Sequence, residues 1–195
     1  MNQKVERGLA TRWRIIAAAT TLFADLGYAD VSIEQVLQAS GVSRGALYHH
    51  FASKETLFEA VVEALEIDVA QKVVARSAGA REAARGLRAG CEAFLELAQE
   101  KAVRQIVLTD APSVLGWARW REIDARHGFG LLKASLARAS VEGLLPADLV
   151  EPFAHMLLAS LTEVALMIAR AEDDPDAAAR GRAAVDALLT RMLAG

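Results

Sequence analysis

SIEQVLQASGVSRGALYHHF, residues 32–51, reads as two short helices joined by a tight turn. Ser32 caps the first helix, because its hydroxyl accepts a bond from a backbone N–H that the first turn leaves unpaired. Gln35, three residues on, completes a capping box. Ile33, Val36 and Leu37 fall on one face at helical spacing. Gly41 stands where that helix must stop, since glycine takes the left-handed conformation without a Cβ penalty. Val42 plugs the inside of the turn. Ser43 caps a second helix, Arg44 to about His50, anchored by Leu47 and Phe51. Two helices joined by a short turn containing glycine form a helix-turn-helix. The second helix of that motif enters the major groove, where base edges carry a readable donor and acceptor pattern.

The second helix suits that role. Arg44 lies at its N-terminus, the end that meets base edges, and arginine bonds bidentately to guanine. Gly45 and Ala46 are small and let the helix lie close to the bases. Tyr48, His49 and His50 are polar aromatics on a helix with few apolar anchors. Spacing alone leaves one alternative open: an ordinary helical hairpin whose Tyr and His side chains face solvent.

GVSRGALYHHFASKETLF strongly resembles the recognition helix and following helix start of the tetracycline-repressor (TetR) family of bacterial transcription regulators. So does the lead-in, LFADLGYADVSIEQVLQASGVS, and the match runs nearly unbroken from about Thr11 to Phe58. The resemblance implies that Lys54 contacts a DNA phosphate, as the equivalent lysine of the family's motif does. It also implies a homodimer, most often a repressor, whose DNA affinity falls when a small molecule enters the C-terminal domain. Beyond Phe58 it supports helical architecture and little about chemistry.

The chain has 195 residues, 53% hydrophobic and 24% charged, which excludes a disordered chain. Net charge is −3, so this is no general nucleic-acid coat; a site-specific binder need only be basic locally. Lys4, Arg7, Arg12 and Arg14 stand against Glu6 alone in the first 20 residues, and the more inward of these arginines can reach phosphates. The single cysteine, Cys91, rules out an internal disulfide framework and argues against a cysteine-based zinc site. A reducing cytoplasm is the simplest compartment. MNQKVERGLATRW lacks the apolar core of a signal peptide. Phe153–Ala169, interrupted by His155 and Glu163, reads as too broken and short for a comfortable membrane span.

Apolar periodicity predicts a first helix from near Val5 to Leu26, closed by Gly27. Ser53 opens a fourth helix, whose stripe runs from Leu57 to Val69 and bridges to the rest of the chain. A fifth helix is expected over Ala80–Glu100 and a short sixth over Ala102–Thr109, ending before Pro112. A seventh spans Val114–Ala139, with Gly128 and Gly130 marking a kink. Gly143 lies in a loop. The eighth runs from Pro146 to Ala171 and is apolar nearly all round, so it must be buried on several sides. Asp174-Pro175-Asp176 starts the ninth. No run alternates like a strand.

His49 and His50 point about a hundred degrees apart on a helix and cannot chelate one ion together. His127 and His155 are isolated. No nucleophile elbow, phosphate-binding glycine loop or HExxH motif occurs. No metal, cofactor or enzymatic activity is expected. Cys91 reads as a small core residue. Phe94, Trp117 and Trp120 read either as core or as the wall of a ligand cavity between helices. The expected pocket gathers Cys91, Phe94, Thr109, Trp117, Trp120, Met156, Ser160 and Glu163, with Thr162 as a further orienting group. Glu163, an acid in an apolar stretch, either faces solvent or orients a ligand.

The expectation is an all-α protein of about nine helices. Residues 1–56 form a helix-turn-helix DNA-binding domain, and residues 57–195 form an effector-binding and dimerisation bundle. DNA contacts are expected from Ser32, Ser43, Arg44, Gly45, Ala46, Tyr48, His49, His50 and Lys54. The last two helices are too apolar for one chain to cover. Leu157, Leu161, Val164, Ile168, Val185, Leu188, Leu189 and Met192 are therefore expected in an isologous homodimer interface. The operator of such a dimer is an inverted repeat of double-stranded DNA. The alternatives are a helical-bundle enzyme, which lacks a catalytic constellation, or an interaction module that borrows the hairpin. The latter leaves Arg44, Tyr48 and Lys54 unexplained.

Overall fold

The computed structural model describes residues 3–171 and 174–193, with side chains from residue 5 onward, so the Lys4 side chain lies outside the described residues. Among the described residues there are nine helical rods and no strand. They divide into two compact units: Met1–Leu65 with Lys101–Trp120, and Glu66–Glu100 with Arg121–Gly195.

The first unit holds the helix-turn-helix. α1 (Gln3–Asp30) buries Ile15, Ile16, Ala19 and Phe23. Gly27 breaks its helical path at φ 78°, ψ 161°, the stop expected there. α2 (Ile33–Ser40) carries both halves of the capping box: Ser32 Oγ accepts the Gln35 N–H at 3.2 Å, and Gln35 Oε1 accepts the Ser32 N–H at 2.7 Å. Gly41 closes it in the left-handed region at φ 64°. α3 (Arg44–His50) starts where Ser43 Oγ accepts the Ala46 N–H at 3.2 Å. At the start of α4 (Lys54–Ser77), Ser53 Oγ accepts the Thr56 N–H at 3.1 Å, and Thr56 Oγ1 accepts the Ser53 N–H at 3.0 Å.

Val36, Leu47, Phe51, Leu57, Phe58, Val61 and Val62 close over α1 as one core. Phe58 meets Phe23 at 5.2 Å and Tyr28 at 4.8 Å between ring centroids, both edge-on. Aromatic pairs of this geometry stabilise by about 0.5–1.5 kcal/mol beyond their buried area. They fix the angle at which α1 holds the turn.

The sixth rod is a π-helix, Val103–Asp110, continuing into α6 (Ala111–Val114). It therefore does not end before Pro112. Pro112 sits in the first turn of α6, directly after the π-helix. Val103, Ile106, Val107 and Leu108 are buried, packing this rod on α1.

α7 (Trp117–Asp124) begins after Gly116, so Val114 belongs to the preceding rod. The kink expected at Gly128 and Gly130 is a π turn, Ala125–Phe129, leading into α8 (Gly130–Val141).

The second unit packs the latter part of α4 with α5 (Ala83–Leu97), α8, α9 (Val150–Arg170) and α10 (Ala177–Met192). α5 is shorter than expected. Its Ala83 N–H is taken by both carboxylate oxygens of Glu142 at 2.9 and 3.0 Å. α9 follows a 3₁₀ turn, Ala147–Leu149, after Pro146. Asp174 Oδ1 accepts the Asp176 N–H at 3.1 Å, but α10 begins only at Ala177, with Asp176 as its N-cap and no side-chain cap hydrogen bond. Asp174-Pro175-Asp176 therefore forms the turn before the helix rather than its first turn. Gly181 lets α10 approach α9 closely: a Cβ there would lie 2.8 Å from Ile168 Cδ1 and 2.9 Å from Val164 Cγ1. By length and composition Ala147–Arg170 is apolar enough to cross a membrane, contrary to the sequence expectation. Its buried face instead packs on α8 and α10.

Candidate nucleic-acid interface

Leu47 is fully buried, which turns the opposite side of α3 outward. Arg44, Gly45, Tyr48 and His49 are exposed there, with Ala46 and His50 half-buried; Ser32 and Ser43 are exposed while serving as caps. The Arg44 guanidinium pairs with the Glu34 carboxylate of α2, and both side chains are more than half exposed, 57% and 66%. That hydrogen bond holds the Glu34 carboxyl below the usual carboxylate range. A pair so exposed contributes little stability, so it yields readily to a guanine.

Partial burial, then His49 and Arg12, hold the His50 imidazole below its ordinary value. Lys54 is half-buried. Its Nζ lies 3.4 Å from the Ala29 carbonyl oxygen and 4.2 Å from the Tyr28 ring centroid. Burial lowers its pKa from the ordinary lysine value, with Asp30 opposing. The ammonium is thus positioned before any phosphate arrives.

In the sequence Arg12 is one of several N-terminal arginines; the structure distinguishes it. Its guanidinium carbon lies 5.3 Å from the Phe51 ring centroid and 6.0 Å from that of the exposed Trp13. Arginine on aromatic faces is a cation–π arrangement that keeps the charge and orients the fork. Because Phe51 closes α3, Arg12 stands beside the recognition helix. The available signal was its place three residues before buried Ile15.

The second unit contains a cavity of about 230 Å³. Cys91 and Phe94 line it; burial pushes the Cys91 thiol up to about 12, which makes it an inert wall. The other expected pocket residues lie elsewhere. Leu158 and Leu161 of α9 face the cavity, and residues two apart on a helix point to nearly opposite sides. That places Met156, 61% exposed, and Glu163 in solvent. Ser160 Oγ donates to the Met156 carbonyl at 2.8 Å, and Thr162 Oγ1 donates to that of Leu158 at 2.9 Å. Thr109, Trp117 and Trp120 belong to the first unit. Thr109 Oγ1 donates to the Arg104 carbonyl, five residues back in the π-helix, at 2.8 Å. Trp117 is 62% exposed and rests 4.8 Å from the buried Trp120 ring. Among the described residues, Trp120 Nε1 has no hydrogen-bond partner.

The cavity wall also contains Glu66, Asp124, Ser135 and Arg138, which the sequence did not single out. Asp124 closes α7 just before the π turn, and it lines the cavity beside Gly128 of that turn. Burial pushes the Asp124 carboxyl up to about 6, against the lowering effect of Arg121, whose Nη1 donates to Oδ2 at 2.9 Å.

Of the expected interface residues, Leu157, Leu161, Ile168, Val185 and Leu189 are buried within their own chain. Val164 and Ile168 pack around Gly181. Only Leu188, 41% exposed, is open, with Val164 and Met192 intermediate. Two apolar residues on the open side of α9 are Met156 and Met167.

Residues 15–61 match the family model described as bacterial regulatory proteins, tetR family. Residues 84–192 match the tetracyclin repressor-like C-terminal domain. The HTH-type transcriptional repressor Rv1474c of Mycobacterium tuberculosis is 30% identical over 153 residues, 78% of this chain and 80% of the relative. The HTH-type transcriptional repressor AcnR of Corynebacterium efficiens is 25% identical over 158 residues, 81% of each chain. The crystal structure of a TetR-family transcriptional regulator from Pectobacterium atrosepticum superposes with a TM-score of 0.86, at 33% identity over 97% of both chains. With both halves matched in register with the helix-turn-helix and the C-terminal bundle, the chain belongs to the TetR family and is a DNA-binding transcriptional regulator.

Proposed function

We propose that the protein is a cytoplasmic homodimeric repressor that binds an inverted-repeat operator and leaves it when a small molecule occupies the second-unit cavity. The observation that carries the reading is the outward face of α3, where Arg44, Tyr48 and His49 stand free of apolar cover. Arg44 reads base edges; Lys54 and Arg12 hold phosphates and set the register. The dimer forms on the open side of α9 and α10, through Met156, Met167 and Leu188. Two recognition helices then address major grooves about 34–36 Å apart, or a multiple of that.

Release needs a rod that both sites touch. α4 is continuous from Lys54 to Ser77; Val69, Val73 and Ser77 of its second half line the cavity. A ligand that prefers one setting of α4 shifts the DNA affinity only by its differential affinity for the two settings. A tenfold loss needs about 1.4 kcal/mol of that difference.

The test is selection of bound genomic fragments by the full chain at moderate salt, followed by gel shift. Inverted repeats in the selected set support the reading. Binding insensitive to sequence, or to Arg44→Ala, refutes it.

A further inference from the structure

The cavity in the second unit has a chemistry that its volume alone does not convey. Its walls are aliphatic and aromatic: Val69, Leu87, Phe94, Leu131, Leu158 and Leu161. The backbone itself forms part of the wall. Gly90 and Gly128 both line the space, and a Cβ on Gly128 would lie 3.2 Å from Leu158 Cδ1. An apolar cavity of about 150 Å³ accommodates benzene. At about 230 Å³ this one takes a ring with a short chain.

Two acids interrupt that apolar wall, Glu66 at 8% exposure and Asp124 at 5%. Asp124 is the better defined. Arg121 Nη1 donates to its Oδ2, and its Oδ1 lies 3.8 Å from where a Cβ on Gly128, a neighbouring lining residue, would stand. A carboxylate this deep meets a low local dielectric, where an opposite charge is worth far more than in water. Arg138, the single base in the lining, is exposed, so a carboxylate bound there competes with solvent and gains little.

We infer that the cavity takes a small lipophilic amine: an aromatic or aliphatic body among Leu87, Phe94, Leu131 and Leu158, with its protonated nitrogen against Asp124 Oδ1. This rests on the proposal above that the cavity is the effector site, and it adds the class of effector.

The test titrates the full-length protein calorimetrically with three probes of matched shape: 2-phenylethylamine, 2-phenylethanol and 3-phenylpropionate. The amine binds at least about tenfold more tightly than the alcohol, the ratio a charge-assisted hydrogen bond supplies. This ranking is read on the unaltered chain, so no variant need fold for it to decide. Asp124→Asn brings amine and alcohol within about threefold of each other, Arg138→Gln leaves the ranking as it was, and Gly90→Leu abolishes binding of all three by filling the space. Tightest binding by phenylpropionate, lost in Arg138→Gln, overturns the amine and leaves the cavity reading in place. Failure of all three probes, or binding unchanged in Gly90→Leu, overturns the site. Amine binding that leaves operator affinity unchanged in a gel shift overturns the effector role and keeps the amine site.

Discussion

Asp110 Oδ2 accepts the backbone N–H of Tyr28 at 2.8 Å, joining residues 82 apart in the chain. Gly27 leaves the helix at φ 78°, so the N–H that follows loses its helical acceptor. The carboxylate supplies one, and Gln105 Nε2 steadies its other oxygen at 3.1 Å. The π-helical rod thereby pins the end of α1, against which the helix-turn-helix packs. Asp110→Ala leaves a part-buried donor unpaired and should cost about 1–3 kcal/mol, or roughly 2–4 °C of melting temperature per kcal/mol. Asp110→Asn keeps an acceptor and should lose less. Thermal unfolding of the two variants checks the order.

Arg44 and its neighbours should divide the work at DNA. Arg44→Ala should relax preference at one or two base pairs, by about 1–3 kcal/mol. Lys54→Ala and Arg12→Ala should weaken binding to every sequence alike, each reducing the salt slope by about one unit. Competition gel shifts across a salt series separate the two behaviours.

Glu34 competes with DNA for Arg44. Glu34→Gln removes the ion pair without removing bulk, so the guanidinium is free before DNA arrives. Operator affinity should rise severalfold, with a smaller change in melting temperature because the pair is exposed. Unchanged affinity in the presence of an intact Arg44 would count against Arg44 as a base reader.

Met167→Glu combined with Leu188→Glu should produce folded monomers with lost operator binding, because both residues are exposed in the single chain. Leu161→Glu should unfold the protein instead, since it places a charge where the chain leaves only 3% of the residue exposed. Sedimentation and circular dichroism distinguish dissociation from unfolding.

Asp124 should make stability depend on pH. Its carboxyl is raised from 3.8 to about 6 in the folded chain, so the folded state holds this proton more tightly than the unfolded one. The associated stability is fully present below about pH 4 and is lost as pH rises through about 6, a change of about 2–3 kcal/mol. Asp124→Asn carries no such titration. Its stability relative to the unaltered chain should therefore improve between pH 4.5 and pH 8, measured by urea unfolding at each pH.

The DNA-binding end was legible because its signals are local. Ser32 with Gln35, Gly41 and Ser43 each act within a turn or two of chain, and the structure shows the caps where the residues placed them. The all-α class followed equally from apolar periodicity, which needs no knowledge of what each face packs against. Tertiary structure decided which helical faces met. Leu161 and Met167 look alike in a helix apolar nearly all round, yet one lines a cavity and the other lies open, because Gly181 draws α10 onto the Val164 and Ile168 side of α9. Asp124 lines the cavity from the last turn of α7, while Trp120, one turn before it, is buried. The sequence by itself determined what each short segment does to its own backbone. Long-range packing determined which side chains share a cavity, because that depends on the approach of rods whose facing residues are separated by dozens of positions.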